Sequence, residues 1–285
     1  VQMKHTRHWS LMRMLCQLLQ VTPGKTRQDG FVSVDETSCI GLCDQGASLL
    51  VNGIPIPALN PEKTMQIAQR VTTGAPVTAW PAEWFEIHDT VHQRNLLLTE
   101  RLAPGSVLQK ALLQSANETL AVIQQSGLRG RGGAGFDTGK KWQLCRATPG
   151  DARYVVCNAD EGEPGTFKDR FLLSEQADAL FEGMAVCAFV IGANKGFVYL
   201  RGEYRYLLSH LQAVLEQHRS LGLLGKNILG HENFEFDIDI VVGAGAYICG
   251  EESALIESLE GKPGIPRIRP PFPVTHGYLG QPTIV

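Results

Sequence analysis

The sequence predicts an α/β protein in two parts: a small first domain over residues 1–88, then, after linker and helices at 89–125, a larger layered α/β domain over 126–285. Three observations carry this. Beyond about residue 150, apolar runs of strand length alternate with helical patterns, the order expected of a layered α/β unit. Thr73–Pro81 carries Gly74, Pro76 and Pro81 and interrupts the periodicity, which sets a boundary near 75–90. Three polar, glycine-rich segments, at 126–136, 157–170 and 243–252, fall where elements join.

In the first domain, Leu11, Leu15, Leu18 and Leu19 share one helical face, and Pro23-Gly24 stops that helix. Phe31–Val34 and Ser48–Val51 read as short strands, the second turning at Asn52-Gly53, a favoured hairpin dipeptide. Pro61 opens a helix through about Val71, and Thr73–Pro81 reads as an extended linker. In the second part, helices are expected at Val107–Leu113, Asn117–Gln125, Glu175–Ile191, Glu203–Ser220 and Glu251–Glu260. Strands are expected at Tyr154–Asn158, Phe197–Arg201 and Phe236–Val242. The tail from Gly261 to Val285 is rich in Pro and Gly and predicts little regular structure, so the chain reads as ending in mid-domain.

With 285 residues, 44% hydrophobic and 19% charged, the chain can bury one large core or two modest ones. A net charge of −3 argues against nucleic-acid binding. No apolar run is long enough for a membrane span, and Arg13 interrupts the only stretch resembling a signal peptide, so a cytoplasmic protein is expected. Seven cysteines without a repeating frame read as reduced thiols, and no C-x-x-C offers an obvious four-ligand metal site, so no metal ligands are assigned.

The first polar segment, S-G-L-R-G-R-G-G-A-G-F, satisfies G-x-G-x-x-G at Gly130, Gly132 and Gly135. The stretch before it reads as helix, whereas the common dinucleotide fold needs a strand there, so that fold is disfavoured. What remains is a loop of accessible backbone N–H groups with Arg129, Arg131, Lys140 and Lys141 around it, suited to phosphate; the bland alternative is a tight solvent loop. The second segment places Asp160, Glu161 and Glu163 just after an apolar strand, where active groups often sit, although a solvated acidic turn gives the same string. The third repeats the plan: a strand, Gly243-x-Gly245, Tyr247, then Glu251 and Glu252 opening a helix. One acid there has a sufficient role at the helix dipole. No histidine neighbours Cys249, so it reads as a packing residue.

These segments, with K-K-W at 140–142 and P-P-F-P at 270–273, resemble the NADH-oxidising flavoprotein subunit of respiratory complex I and its relatives, which include the diaphorase subunits of soluble NAD-reducing nickel–iron hydrogenases. The resemblance covers Ser126 to Val285 and implies a non-Rossmann α/β FMN-binding domain. By that resemblance Gly130, Arg131, Gly132 and Lys141 cradle FMN, with Asn158, Asp160 and Glu251 also at the flavin. Gly133, Phe136, Glu163, Tyr247, Glu252 and Phe272 hold NADH over it, Glu163 and Tyr247 being assigned to the hydride exchange. Leu144 stands where an aromatic is usual and Asp137 where Pro is usual. The family's [4Fe–4S] cluster belongs to a cysteine-rich region beyond the residues of this chain.

S-C-I-G-L-C-D-Q-G at 38–46 is similar to the later half of a thioredoxin-like subunit that carries a [2Fe–2S] cluster. Cys39 and Cys43 match its second ligand pair, and the first pair has no counterpart, so either a cluster-free remnant of that domain or one truncated at its start is expected, and a [2Fe–2S] cluster at Cys39 and Cys43 is not. The fused order implies the diaphorase of a cytoplasmic NAD-reducing hydrogenase that exchanges hydride between NAD(H) and FMN, with an iron–sulfur electron-transfer subunit and hydrogenase subunits as partners. The alternatives are the equivalent subunit of an NAD-dependent formate dehydrogenase or of complex I, or a cofactor-free scaffold.

Overall fold

The computed structural model describes residues 2–94, 98 and 102–285, which fall into two units: residues 1–92 with 162–167, and residues 93–161 with 168–285.

In the first unit, helix α1 (Gln2–Leu19) is followed by an antiparallel pair, β1 (Lys25–Thr26) with β2 (Ser33–Val34), and by a hairpin of β3 (Leu49–Val51) and β4 (Ile54–Ile56). The hairpin turns on Asn52 and Gly53, both left-handed at φ 50° and 81°, the geometry that matches strand twist and favours this dipeptide. Helix α2 (Pro61–Thr72) starts with Asn60 accepting the Lys63 N–H at 2.8 Å and Pro at its first position. Cys16, Leu19 and Val21 pack with Ala68 of α2. The stretch expected as extended linker is instead packed: Trp80 and Trp84 are buried with Ile56 and Ile67, and Trp80 Nε1 donates to Ala75 O at 3.0 Å. Two indoles bury more apolar surface than a linker has reason to carry, a signal stronger than the glycine and prolines beside them.

The second unit opens with α3 (Ser106–Leu112), α4 (Ala116–Gln125) and α5 (Thr138–Ala147). A reciprocal cap between Ser115 and Glu118 starts α4. Then β5 (Tyr154–Ala159), α6 (Lys168–Glu175), α7 (Ala177–Ile191), β6 (Lys195–Leu200), α8 (Leu208–Ser220), β7 (Asp237–Val242), α9 (Glu252–Leu259), α10 (Pro273–His276) and β8 (Thr283–Ile284) follow. The four strands form one parallel sheet in the order β7-β6-β5-β8. Alternate side chains serve two cores. Val155, Val198 and Leu200 join the large cluster around Phe181 and Ala188 of α7, while Val156, Phe197 and Tyr199 pack with Leu255 of α9. Covered on both faces, β5 and β6 are apolar at nearly every position. The edge strand β7 keeps its alternating acids by pairing them, Asp237 with Arg219 at 3.1 Å and Asp239 with Lys195 at 2.7 Å.

Three expectations change. The helix read as Glu175–Ile191 is two, α6 beginning earlier and breaking at Gln176. The helix read from Glu203 begins as a 3-10 turn over Gly202–Leu207. The tail contributes α10 and β8, whose backbone pairs with β5; two residues are too few to show an alternating pattern in sequence.

Candidate functional site

Parallel strands end on one edge of their sheet, so the loops leaving β5, β6 and β7 meet there. They carry Asn158–Glu161, Arg201–Glu203 and Gly243–Gly245. The approach is close enough to demand glycine: a Cβ on Gly202 would lie 2.9 Å from Gly243 O, and one on Gly243 would lie 2.9 Å from the Tyr199 ring.

Asn158 fastens this edge. Its Nδ2 donates to Gly250 O at 2.9 Å and its Oδ1 accepts the Asp160 N–H at 3.2 Å. Asp160 follows with its Oδ2 buried and, among the described residues, without a hydrogen-bond partner. Burial pushes its carboxyl up to about 6; Arg201 opposes that shift and Glu203 adds to it. Glu161 points the other way. At 6% exposure it accepts the N–H groups of Asp169 and Arg170 at 3.0 and 3.2 Å, capping α6, and the Tyr204 hydroxyl at 2.8 Å. The first two acids of the run therefore differ: one oxygen of Asp160 is buried without a partner among the described residues, and Glu161 caps α6.

The glycine loop stands on a narrow neck. Arg129 and Asp137 form an antiparallel bridge, and Gly130 N donates to Phe136 O at 2.9 Å. Helix α4 precedes it, as the argument against a Rossmann unit requires. Gly132 and Gly133 are exposed, with no atom within 4 Å of a Cβ placed on either, so the loop backbone is open to a ligand. Asp137 Oδ1 accepts the Lys140 N–H at 2.7 Å and caps α5, so the exit from the loop is fixed by a hydrogen bond. One turn into α5, Lys141 Nζ reaches Glu252 Oε2 at 3.1 Å and Val285 O at 2.9 Å.

Glu251 fills the structural role available to one of the paired acids: its Oε2 accepts from Ser253 N and Ala254 N at 3.1 and 3.0 Å and caps α9. Its other oxygen pairs with Arg269, which also lies 3.4 Å from Glu252. The rings of Phe136, Tyr247 and Phe272 are exposed in this unit, as is Leu144. Glu163 lies on segment 162–167, which belongs to the first unit.

Sequence reasoning missed Arg201, Glu203 and Arg269. The first two follow an apolar strand directly, the same signal that singled out Asp160. Arg269 had none, being one cation in a proline-rich tail.

The family model of the Nuo51 FMN-binding domain matches residues 123–284, a range that contains the glycine loop, the three strand-end loops and α9. The chain belongs to this family. A second family model, the thioredoxin-like [2Fe–2S] ferredoxin, matches residues 4–72. The chain is 46% identical over 274 residues to the alpha subunit of the NAD-reducing hydrogenase HoxS of Cupriavidus necator, covering 92% of this chain and 46% of that protein. It is 52% identical over 178 residues to a subunit of the NADH-quinone oxidoreductase of Aquifex aeolicus, covering 62% and 41%. The crystal structure of an NAD+-reducing [NiFe]-hydrogenase in its H2-reduced state matches with TM-score 0.90 and 44% identity, over 96% of this chain and 47% of that one. This chain thus spans about half the length of these relatives. The predicted architecture, a thioredoxin-like domain ahead of a non-Rossmann FMN-binding domain, holds.

The residues present fit FMN. An open glycine loop beside Arg131 and Lys141 suits a phosphate, and the unpartnered Asp160 oxygen suits an N–H or O–H donor. The ferredoxin match counters the expectation that a [2Fe–2S] cluster has no place near Cys39 and Cys43, since the domain type that carries one is present. Their sulfurs lie 3.2 Å apart. Cys16, the third cysteine of the unit, is buried in α1, and among the described residues no three His, Cys, Asp or Glu side chains group as metal ligands. Such a cluster takes four ligands, so the residues present do not complete a set.

Proposed function

We propose that this chain is the flavin- and nicotinamide-binding part of the diaphorase subunit of a cytoplasmic NAD-reducing hydrogenase. In this reading NAD(H) and FMN exchange hydride, and iron–sulfur clusters of partner subunits exchange electrons with the flavin. The observation that carries the proposal is the polar edge where the parallel strands end, with the unpartnered Asp160 oxygen among an open glycine loop, Lys141 and the Glu251–Glu252 pair.

FMN, when bound, supplies two-electron exchange with NAD(H) and one-electron exchange with clusters. The protein binds and orients. Gly130, Arg131, Gly132 and Lys141 hold the flavin phosphate through backbone N–H groups and cations. Asn158 and Asp160 meet the flavin's polar edge, and Glu251, through its cap on α9, keeps that side in place. Gly133 leaves room for the dinucleotide, Phe136, Tyr247 and Phe272 offer ring faces to it, and Glu252 accepts its hydroxyl or amide donors. With both cofactors bound the hydride exchange would be supplied by them, so no general base or nucleophile would be required of the chain.

The hydrogenase assignment over complex I rests on the first unit. Similarity to the Cupriavidus protein runs through 92% of the chain, whereas that to the Aquifex protein stops at 62%. The helices among the described residues are none of them long and apolar enough to cross a membrane. The test is a visible absorption spectrum of the whole complex before and after anaerobic NADH. A flavin band that bleaches supports the proposal; a colourless folded complex favours a scaffold, and an unresponsive flavin removes the nicotinamide site. Nickel in the purified complex supports hydrogenase, and molybdenum supports formate dehydrogenase.

A further inference from the structure

Arg201, at the carboxyl end of the central strand β6, is a buried guanidinium with no place in the flavin or nicotinamide assignments above. Its Nη1 donates to the backbone oxygen of Glu161, its Nε donates to Glu203 Oε2 at 3.0 Å, and its main-chain N–H donates to Ala159 O at 3.2 Å. The guanidinium also lies over the Tyr204 ring at 5.2 Å, and the hydroxyl of that tyrosine holds the Glu161 carboxylate. Both ends of Glu161 are therefore fixed by Arg201 and Tyr204, in the segment that follows β6. Asp160 lies between these anchors and Asn158, which accepts its N–H.

We infer that Arg201 is a positioning residue for Asp160. By locking the peptide and, through Tyr204, the side chain of Glu161, it presents the unpartnered Asp160 oxygen at the sheet edge to a donor of the bound ligand. The inference rests on the flavin reading only for the identity of that donor. A guanidinium suits the task because its planar fork reaches a backbone oxygen and a carboxylate at once, which an ammonium does with less geometric constraint. Glu203 keeps the buried charge paired, and its carboxylate also limits the loop after β7, since a Cβ on Gly245 would lie 3.4 Å from it. The groups acting on the Asp160 charge are Arg201 and Glu203 beyond β6, with the Tyr199 hydroxyl on β6 itself.

A helix-anchoring role for Arg201 would leave the titration of Asp160 out of account, and this separates the two roles. In the purified complex, FMN dissociation constants are measured by flavin fluorescence from pH 5 to 8 for wild type, Arg201→Met, Glu203→Gln, Asp160→Asn and the Asp160→Asn/Arg201→Met pair. Arg201→Met is expected to weaken FMN by about tenfold and to move the pH midpoint of binding upward, while Glu203→Gln moves it downward. On the Asp160→Asn background, loss of Arg201 is expected to cost less than about twofold. An unmoved midpoint, or an equal loss on both backgrounds, overturns the inference. Should Arg201→Met not assemble, Arg201→Lys replaces it: weakened FMN with the midpoint kept is expected, and unchanged affinity overturns. A wild-type complex that takes up no FMN defeats the flavin reading itself, whereas a flavin-binding wild type with additive variants defeats only the role of Arg201.

Discussion

Lys141 and Glu252, 111 residues apart in sequence, meet with Nζ 3.1 Å from Oε2, and the same Nζ donates to Val285 O at 2.9 Å. One cation thus joins the helix that follows the glycine loop to the helix that follows β7, and brings the first and third polar segments together. Both side chains are about a quarter exposed, so the pair contributes roughly 0–1 kcal/mol to folding. Lys141→Gln is expected to leave the melting temperature nearly unchanged while weakening FMN by about tenfold through the lost phosphate charge. Fluorescence titration alongside calorimetry checks it; a large drop in melting temperature with flavin affinity intact would reverse the assignment.

Glu252→Gln and Glu163→Gln test the two acids that the resemblance assigns to the nicotinamide. Each is expected to leave FMN affinity within about twofold and to slow reduction of bound flavin by NADH by about tenfold, as loss of a charged acceptor does. Stopped-flow absorbance at saturating flavin measures both. Equal losses of flavin retention and of reduction by Glu163→Gln would show that this residue serves folding of segment 162–167 and not the nicotinamide.

The raised Asp160 carboxyl sets a pH dependence opposite to that of a salt-bridged acid. Its folded value, about 6, lies above the ordinary 3.8, so between these values the native state binds more protons than the unfolded chain. Stability from this group is therefore greatest below about pH 4 and falls as pH rises through 6. Urea unfolding across that range is expected to show the slope in wild type and a flatter one in Asp160→Asn, and matching slopes would mean that burial does not act on this residue as described.

Glu182 caps a helix that carries no cap of its own. Gly105, left-handed at φ 84°, precedes α3 with no side chain to offer, and the buried Glu182 carboxylate of α7 accepts the N–H groups of Gly105, Val107 and Leu108 at 3.2, 2.6 and 2.7 Å. Glu182→Ala is expected to cost about 3 kcal/mol, since buried N–H groups are left without an acceptor, and Glu182→Gln to cost less. Chemical denaturation measures this, and a loss below about 1 kcal/mol would place the stability of α3 in its apolar contacts alone.

Asp160, Lys141 and the glycine loop stood out in the sequence because chemistry-bearing residues interrupt strongly patterned neighbours, whereas Asn158 was singled out by the resemblance alone. The Asp137 cap shows the limit of such reading. Asp137 stood out only as a departure from the resemblance, and its side chain accepts the Lys140 N–H and so fixes the loop exit. Glu161 shows a second limit. Next to Asp160 in an acidic string it has the same composition signal, and only its reach to α6 and Tyr204 marks it as a cap.

What the sequence determined by itself was local: period and apolar content marked β5, β6, β7 and most helices, the Asn52-Gly53 turn followed from left-handed backbone, and motif strings placed the chain in its family. The tertiary structure alone decided which polar groups are engaged by the fold and which keep an unpartnered oxygen among the described residues. Long-range partners settle that question, and neither Arg201 with Glu161 nor Arg269 with Glu251 leaves a periodic trace along the chain. A buried carboxylate is a cap if backbone N–H groups surround it and a binding group if nothing does, and that difference arises only when the parallel strands bring their loops to one edge.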